Sequence, residues 1–402
     1  MNPAFPDRLT AAERRTGISL AAIFGLRMLG LFLILPVFAL HAKDIEGGDN
    51  LLLVGLALGA YGGTQACLQI AWGAASDHLG RKPVIIVGLL LFALGSFMAA
   101  LAPDMYWMIA GRVIQGAGAI SAAVTALAAD LTREECRARV MGMIGASIGL
   151  VFAVSMVAAP LLFDRIGMSG IFWLTGILAL LAIVVLIRVV PAAPPPVSGS
   201  PVPISAVLYE PQLLRLNFGV FVLHLTQMAL WVLVPTLLVE VGGLPGGAHW
   251  KVYLPAVLLS FTLMTPAIII AEKRGRMKTV LIGAVALLTM TLAGFCLAGD
   301  NLATLFLWLT LFFVAFNTLE ALQPSLISRI APPHAKGKAL GVYNTLQALG
   351  LFVGGIVGGA LAERLGNRAV FLFCALAVIL WLALACGLHP PPRRGVLQNA
   401  TT

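Results

Sequence analysis

The chain is dominated by apolar runs of about 20 residues that recur from Gly17 to Leu388. Each run is long enough to cross the hydrocarbon core of a bilayer, which is about 30 Å thick. The runs are continuous in Leu, Ala, Val and Ile, without the two-residue alternation that is typical of barrel strands. Because backbone groups find no water in lipid, such runs must form helices there. We therefore predict an all-α integral membrane protein.

Twelve candidate spans can be counted in these runs, and they are numbered here in chain order. Their central residues are Leu29, Leu58, Phe92, Ala117, Val151, Leu178, Leu225, Leu259, Leu288, Phe312, Leu351 and Leu376. Charged residues make up only 11% of the chain, against about 25% in soluble domains. The composition therefore also indicates a chain that lies almost entirely within the membrane.

The net charge of +9 is distributed unevenly among the loops. Most of the 26 lysines and arginines fall in loops on the side of the N-terminus, and this bias is the one that orients membrane proteins. We therefore predict that both termini are cytoplasmic. Since the positive charge is used to set topology, we expect no nucleic-acid partner.

A proline-rich segment divides the spans six and six. It contains Pro194, Pro195, Pro196, Pro201 and Pro203, a composition typical of a semi-rigid linker. The predicted organisation is an N-terminal six-helix bundle at 1–190, a cytoplasmic linker at 191–212, a C-terminal six-helix bundle at 213–390 and a short cytoplasmic tail at 391–402.

The two predicted bundles also resemble each other in sequence. Matching residues recur at one offset of 199 positions (235 − 36): Pro36 with Pro235, Gly142 with Gly341, and Asp164-Arg-Ile-Gly167 with Glu363-Arg-Leu-Gly366. A single offset at three separate places indicates a duplicated six-helix unit. Parallel repeats of this kind place a substrate site near the midplane of the membrane, between the two halves.

The segment from Gly73 to Pro83, called the charged loop below, is a compact turn between spans 2 and 3. Its candidate latch residues are Gly73, Asp77, Gly80, Arg81 and Lys82, with Asp130 at the end of span 4 as their partner. Arg81 is expected to pair with Asp130, and Asp77 to accept from backbone N–H groups at the N-terminus of another helix. Such contacts would hold helices together at the cytoplasmic surface. The alternative is an ordinary basic loop that only sets topology.

The pattern G-x-x-x-D-x-x-G-R-[RK] in this loop resembles the signature loop of the major facilitator superfamily. A second stretch, Arg112 to Gly118 in span 4, is similar to a signature of proton-coupled members. The sequence is most similar to the YajR-type inner-membrane transporters of the drug:proton antiporter-1 branch. The stretches that carry this resemblance are Leu26–Gly30, Asp130–Glu134, Leu216–Gly219, His249–Tyr253 and Phe313–Asn317.

The resemblance implies two bundles that rock around a central cavity, usually in a monomer in the bacterial inner membrane. It also implies that the charged loop latches the outward-open state through Asp77, Arg81 and Asp130. Span 5 departs from the antiporter signature, because Ala159-Pro160 is followed by two leucines where two glycines are expected. A small cytosolic C-terminal domain found in some YajR-type proteins is expected to be absent, since only a short polar segment follows span 12.

Ionisable side chains within the spans are costly in lipid, so each one indicates a functional site. The candidate proton-coupling and substrate-cavity residues are Arg27, Arg112, His224, Asn317, Glu320 and Gln323. Glu320 can load and release a proton, and His224 titrates near neutral pH. Arg112 cannot titrate, so it acts by tuning a nearby acid or by hydrogen bonding. The alternatives are a structural ion pair for Glu320 and a packing role for His224.

The sequence has no phosphate loop, no zinc-ligand spacing and no nucleophile–base set, so we expect neither an enzyme nor a cofactor. The proton gradient is then the expected energy source. The leading prediction is a proton-coupled secondary transporter that exports small lipophilic or cationic compounds by alternating access. One alternative is uptake of a metabolite by proton symport, and another is a membrane receptor that binds a ligand without moving it. The expected partners are a small-molecule substrate, protons and the lipid bilayer.

Overall fold

A computed structural model describes residues 9–191, 205–297, 301–332 and 335–389. Within these residues the chain is helical, apart from loops and one isolated bridge between Glu46 and Asp104. Most of the predicted linker at 191–212 and the whole predicted tail at 391–402 lie outside the described residues.

Each of the twelve predicted central residues lies within a helix. In chain order the helices are Ala11–Phe32 and the short Phe38–Ala42 for span 1, Leu51–Leu79 for span 2, Arg81–Ala100 for span 3, Met105–Ala117 and Ser121–Asp130 for span 4, Glu134–Arg188 for spans 5 and 6, the short Ser205–Leu208, Pro211–Glu240 for span 7, the 3₁₀ turn Gly246–Ala248, Trp250–Lys273 for span 8, Met277–Leu297 for span 9, Leu302–Ile330 for span 10, Lys336–Leu365 for span 11 and Asn367–Cys386 for span 12.

Eleven stretches of the described chain are long and apolar enough to cross a membrane, and one of them contains two successive spans. That stretch, Arg139–Arg188, has 50 residues and would be about 75 Å long as a straight helix, far more than a bilayer needs. Gly167 interrupts it with φ 66° and ψ −178°, a backbone conformation that favours glycine. Dividing the stretch there gives twelve spans, so the predicted all-α membrane fold is confirmed.

The two halves repeat this break at equivalent positions. Gly366 lies 199 residues after Gly167 (366 − 167) and separates spans 11 and 12 with φ 80° and ψ 173°. Each glycine therefore turns the chain between the last two spans of its half with nearly the same backbone conformation. The repeat indicated by the sequence thus extends to the local structure.

The halves approach each other most closely where span 2 meets span 11. A Cβ atom added at Gly55 would lie 2.0 Å from the carbonyl oxygen of Gly355, and one added at Gly62 would lie 2.6 Å from that of Ala348. Any side chain at these positions would push the helices apart, since such distances are well inside van der Waals contact. The glycines therefore allow backbone-to-backbone packing along this seam.

Contacts between the halves concentrate away from the charged loop. We call the surface that carries this loop the loop end and the opposite surface the far end. At the far end, Lys43 pairs with Glu240 at 3.1 Å, and the backbone N–H of Leu51 donates to Glu363 at 2.8 Å. Toward the loop end, a Cβ atom added at Gly341 of span 11 would meet nothing within 4 Å. The described conformation is therefore closed at the far end.

Candidate functional site

Three polar side chains of the second half meet near the middle of the bundle. His224 of span 7 lies with Nε2 3.5 Å from Oε2 of Glu320 in span 10. The amide nitrogen of Gln347 in span 11 lies 2.7 Å from the same imidazole nitrogen and donates to Oε1 of Glu320 at 3.3 Å. The three residues, called the acid centre below, therefore link spans 7, 10 and 11.

The hydrogen-bond partners of His224 indicate which ring nitrogen carries its proton. An amide NH₂ group can only donate, so Nε2 of His224 accepts from Gln347. The proton then lies on Nδ1, which donates to the carbonyl of Val220 at 3.0 Å. With Gln347 as the donor, His224 is assigned as a neutral imidazole with its proton on Nδ1, next to the carboxyl group of Glu320.

The remaining predicted residues of span 10 lie beside the acid centre. Nδ2 of Asn317 donates to Oγ of Ser260 in span 8 at 2.9 Å. Gln323 is fully buried, and its side-chain amide makes no hydrogen bond among the described residues. The bond from Asn317 therefore joins span 10 to span 8. The amide of Gln323 is a buried polar group without a hydrogen bond in the described chain, three residues after Glu320 in the same span.

A group of rings, Phe32, Phe152, Phe312, Phe313 and Phe316, lies on the far side of Glu320 and is called the aromatic cluster below. Phe152 of span 5 lies at centroid distances of 5.2 Å from Phe32, 5.9 Å from Phe313 and 6.2 Å from Phe316. Phe316 is one helical turn before Glu320, so the rings lie about 6 Å nearer to the far end. The aromatic cluster thus joins the two halves on the far-end side of Glu320.

The first half contains a different centre, in which two buried arginines share one tyrosine ring. The Cζ atoms of Arg27 in span 1 and Arg112 in span 4 lie 5.7 Å and 5.1 Å from the ring centroid of Tyr61 in span 2. Nη1 of Arg27 donates to Oγ of Ser121 at 2.8 Å. We call these four residues the arginine centre.

Arg112 is anchored more extensively than Arg27. Its Nε donates to the carbonyl of Ala57 at 3.2 Å, and its Nη1 donates to Oε1 of Gln115. Gln115 in turn donates to Oγ of Ser96 at 2.8 Å. This chain of bonds ties spans 2, 3 and 4 together, so Arg112 has a clear structural role in addition to its charge.

The charged loop brings together most of the predicted latch residues. Nε of Arg81 donates to Oδ2 of Asp130 at 2.9 Å, and its Nη1 donates both to Oγ of Ser76, at 2.7 Å, and to Oδ1 of Asp77. The pair of Arg81 and Asp130 thus forms as the sequence predicts. The described partner of Asp77 is Arg81 of its own loop, where a helix N-terminus was expected.

The other loop positions have local roles. Lys82 donates to the carbonyl of Val190 at the end of span 6, so it is not part of the cluster around Asp130. Gly80 adopts φ 90° and joins two helices directly, which requires a residue without a side chain. A Cβ atom added at Gly73 would lie 3.5 Å from Ala122, an ordinary contact. The loop is therefore a tight joint whose ion pairs all belong to the first half.

Comparison with known proteins agrees with this architecture. The sequence model of the Major Facilitator Superfamily matches residues 20–352 and, in a second match, residues 216–401. The chain belongs to the major facilitator superfamily. It is 42% identical over 393 residues to the inner membrane transport protein YajR of Escherichia coli K12, covering 96% of this chain and 86% of that protein. This superfamily member is therefore a multi-pass transporter of the inner membrane and not an enzyme.

Two further relatives extend the comparison. The multidrug resistance protein MdtH of Photorhabdus laumondii is 30% identical over 339 residues, which cover 82% of each chain. Among solved structures, a bacterial homolog of the human lysosomal transporter Spinster, in an inward-facing and occupied conformation, has a TM-score of 0.73 at 13% identity. That match covers 94% of this chain and 97% of the other and shows the fold alone.

The structure sorts the predicted membrane residues of this superfamily chain into two separate centres. His224 and Glu320 meet in the acid centre, whereas Arg27 and Arg112 share the arginine centre. Sequence reasoning missed Gln347 and Tyr61, because it considered uncharged side chains only where they flank Glu320 in span 10. Their signal was a polar side chain within an apolar span, and the rule used for charged residues would have found them if extended to amides and phenols.

Proposed function

We propose that the chain is a proton-coupled secondary transporter that exports small lipophilic or cationic compounds by alternating access. In this proposal it acts as a monomer, with the loop end and both termini in the cytoplasm. The excess of lysine and arginine in the loops of that side supports the orientation. Export also agrees with the multidrug name of the MdtH relative.

The position of Glu320 is the observation that carries the proposal. Its side chain is 32% exposed although it lies in the middle of a span, while its neighbour His224 is only 3% exposed. The aromatic cluster lies between Glu320 and the far end. A proton therefore reaches the carboxyl group from the loop end in this conformation, and rocking of the halves would open the opposite path.

The contacts around Glu320 supply a way to couple protonation to motion. An ionised Glu320 accepts a hydrogen bond from Gln347, and this bond joins spans 10 and 11. Protonation removes the negative charge and weakens the bond from Gln347, because hydrogen bonds to charged groups are stronger than neutral ones. The contact between spans 10 and 11 is therefore tighter when the proton is absent and looser when it is present.

The proposal also assigns the substrate path and the energy source. The aromatic cluster offers an apolar surface next to the acid centre, which suits lipophilic compounds and cations that pair with a carboxylate. Each proton that crosses the membrane supplies about 2.3 kcal/mol per 100 mV of potential. In the same proposal, Gly73, Asp77, Gly80, Arg81, Lys82 and Asp130 act as the conformational latch.

Proton flux in liposomes tests the proposal. The purified chain is reconstituted with a trapped pH dye, a pH gradient is imposed and lipophilic cations are added to one side. Wild-type protein should move protons when substrate is added, and Glu320→Gln should abolish this response, because an amide cannot carry a proton. Glu46→Gln, which alters an exposed acid at the far end, is the matched control.

The outcomes separate the competing functions. Substrate-driven proton flux at wild-type rate in Glu320→Gln would remove Glu320 from the mechanism. Protons that move in the same direction as the substrate would indicate uptake by symport in place of export. Saturable binding with no movement of either would indicate a receptor.

A further inference from the structure

Arg27 presents an unoccupied hydrogen-bonding edge inside the bundle. Its side chain is 98% buried, its Nη1 donates to Ser121, and its Nε and Nη2 have no partner among the described residues. Nε–H and one N–H of Nη2 point in the same direction in the guanidinium plane. This edge matches the two oxygens of a carboxylate group, which it binds through two parallel hydrogen bonds.

The surroundings of Arg27 make this edge strongly positive. Arg112 is fully buried on the same Tyr61 ring and keeps its Nη2 without a partner, and the hydroxyl of Tyr61 is also buried and unpaired. The salt bridges of the described residues include neither guanidinium group. Two cations thus share one apolar site without a carboxylate of the protein.

A buried charge without a partner is strongly unfavourable, and burial of the donors themselves adds to the cost. The hydrogen bonds to Ser121, Ala57 and Gln115 satisfy one donor of Arg27 and two of Arg112, which fixes the groups in place but does not neutralise them. An anion is the ligand that satisfies both the charge and the free donors. The planar edge of Arg27 favours a carboxylate over a spherical ion, since only the carboxylate accepts two parallel bonds.

We propose that Arg27 binds the carboxylate group of a lipophilic organic acid, with Arg112 and Tyr61 as its electrostatic and hydrogen-bonding support. The inference rests on the proposed transport function and specifies, among its lipophilic substrates, compounds that carry a carboxylate. A purely cationic substrate leaves both arginines unpaired. The apolar part of the ligand fits a site whose tyrosine packs edge-on against Phe92 at 6.4 Å. Because Arg27 is closed in this conformation, the anion enters as the halves move.

Equilibrium binding to the purified full-length chain in detergent tests the proposal. Naphthoate is the probe, chloride and nitrate are the inorganic comparisons, and the readouts are titration calorimetry and the thermal shift at constant ionic strength. Wild-type protein should bind naphthoate saturably. Arg27→Gln should abolish binding, and Arg27→Lys should weaken it at least tenfold, because the ammonium keeps the charge but loses the two-donor edge.

Two further variants keep the test informative if Arg27→Gln does not fold. Ser121→Ala removes only the anchor of Nη1 and should weaken naphthoate binding several-fold, and Tyr61→Phe keeps the ring and removes one donor. Arg165→Gln, an exposed arginine at the far end, is the matched control and should bind as the wild type does.

Two results would overturn the proposal. The first is naphthoate binding that is undiminished in both Arg27→Lys and Ser121→Ala. The second is a thermal shift that chloride alone reproduces in full and naphthoate does not extend, which would mean a structural inorganic anion. No pH gradient is used, so the result is independent of the proton-flux experiment. The binding experiment can therefore contradict the anion site while the proton-flux experiment supports proton coupling, and the opposite pair of results is equally possible.

Discussion

The two halves join equivalent spans by contacts of different chemistry. In the first half, Arg27 of span 1 donates to Ser121 of span 4. In the second half, His224 of span 7 meets Glu320 of span 10. Ser121 and Glu320 are 199 residues apart (320 − 121), the same offset that relates Pro36 to Pro235. A duplicated position thus carries a hydroxyl beside a cation in one half and a carboxyl beside an imidazole in the other.

This difference separates a permanent charge from a titratable one. Arginine stays charged at every physiological pH, so the arginine centre offers a constant positive site. Glutamate and histidine change their protonation, so the acid centre can respond to a proton gradient. In our two proposals, the carboxylate group of a ligand and the proton therefore bind in different halves, and rocking of the halves would couple the two events.

Phe152 gives the largest expected effect, because this ring of the first half covers the acid centre of the second. Phe152→Ala should open a passage beside Phe313 and Phe316 and allow protons to leak without substrate. The leak is measured with the pH dye in liposomes that lack substrate. Truncating a buried Phe costs about 3–5 kcal/mol of stability at any site, so a control of equal size is needed.

Phe295→Ala provides that control for Phe152→Ala. Phe295 is similarly buried and stacks on Phe371 at 5.0 Å, between spans 9 and 12 and outside the aromatic cluster. The Phe295→Ala variant should lose a comparable amount of stability without a proton leak. Equal leaks in the two variants would mean that general destabilisation, and not loss of a seal, opens the path.

Ser121→Glu tests the comparison directly by giving the first half the residue of the second. The new carboxylate lies beside Arg27 and occupies the edge that we assign to an organic anion. Naphthoate binding should fall at least tenfold, equivalent to about 1.4 kcal/mol, as measured by calorimetry. Ser121→Gln adds nearly the same volume without charge and should retain measurable binding. Equal loss in both variants would attribute the effect to crowding alone.

The sequence predicted the spans well because their signal is local. Each apolar run carries its own length and boundaries, and even the break at Gly167 was marked by the polar pair of Asp164 and Arg165 before it. The charged loop was predictable for the same reason, since Arg81 begins span 3 and Asp130 ends span 4 at the loop end. Hydropathy and topology together were enough to place these residues.

The two centres were only partly predictable, because their contacts join distant spans. His224 and Gln347 are separated by 123 positions and Arg27 and Ser121 by 94, so neither pair follows from local periodicity. Charge identified Arg27, Arg112 and Glu320 as candidates but could not group them. The grouping depends on which helix faces meet, and this is decided by packing across the whole bundle.

Gln347→Leu is expected to have a moderate effect on the acid centre. The change removes the amide group that donates to both His224 and Glu320. Loss of a hydrogen bond has a net cost of about 0.5–1.5 kcal/mol. Substrate-driven proton flux should therefore slow about two- to tenfold. Gln65→Leu is the control variant in the first half, where the amide donates to Gln69 at 3.3 Å. Equal slowing in both variants would remove the special role of Gln347.

The smallest expected effect concerns the charged loop and its counterpart between spans 8 and 9. Asp77 is 55% exposed and pairs with Arg81, which keeps Asp130 as a second partner. An exposed pair contributes about 0–1 kcal/mol, so Asp77→Asn should leave the unfolding temperature in detergent almost unchanged. If the loop is a latch, the same small energy shifts the balance between conformations and slows transport up to about fivefold.

Glu272→Gln makes the same neutralisation in the second half, where the loop has a degenerate sequence. A latch confined to the first half predicts that Glu272→Gln transports at the wild-type rate while Asp77→Asn does not. The measurement is substrate flux in liposomes at matched protein density. Equal transport by Asp77→Asn and wild type would mean that the charged loop only sets topology. Equal impairment by both changes would mean that the loops of both halves act as latches.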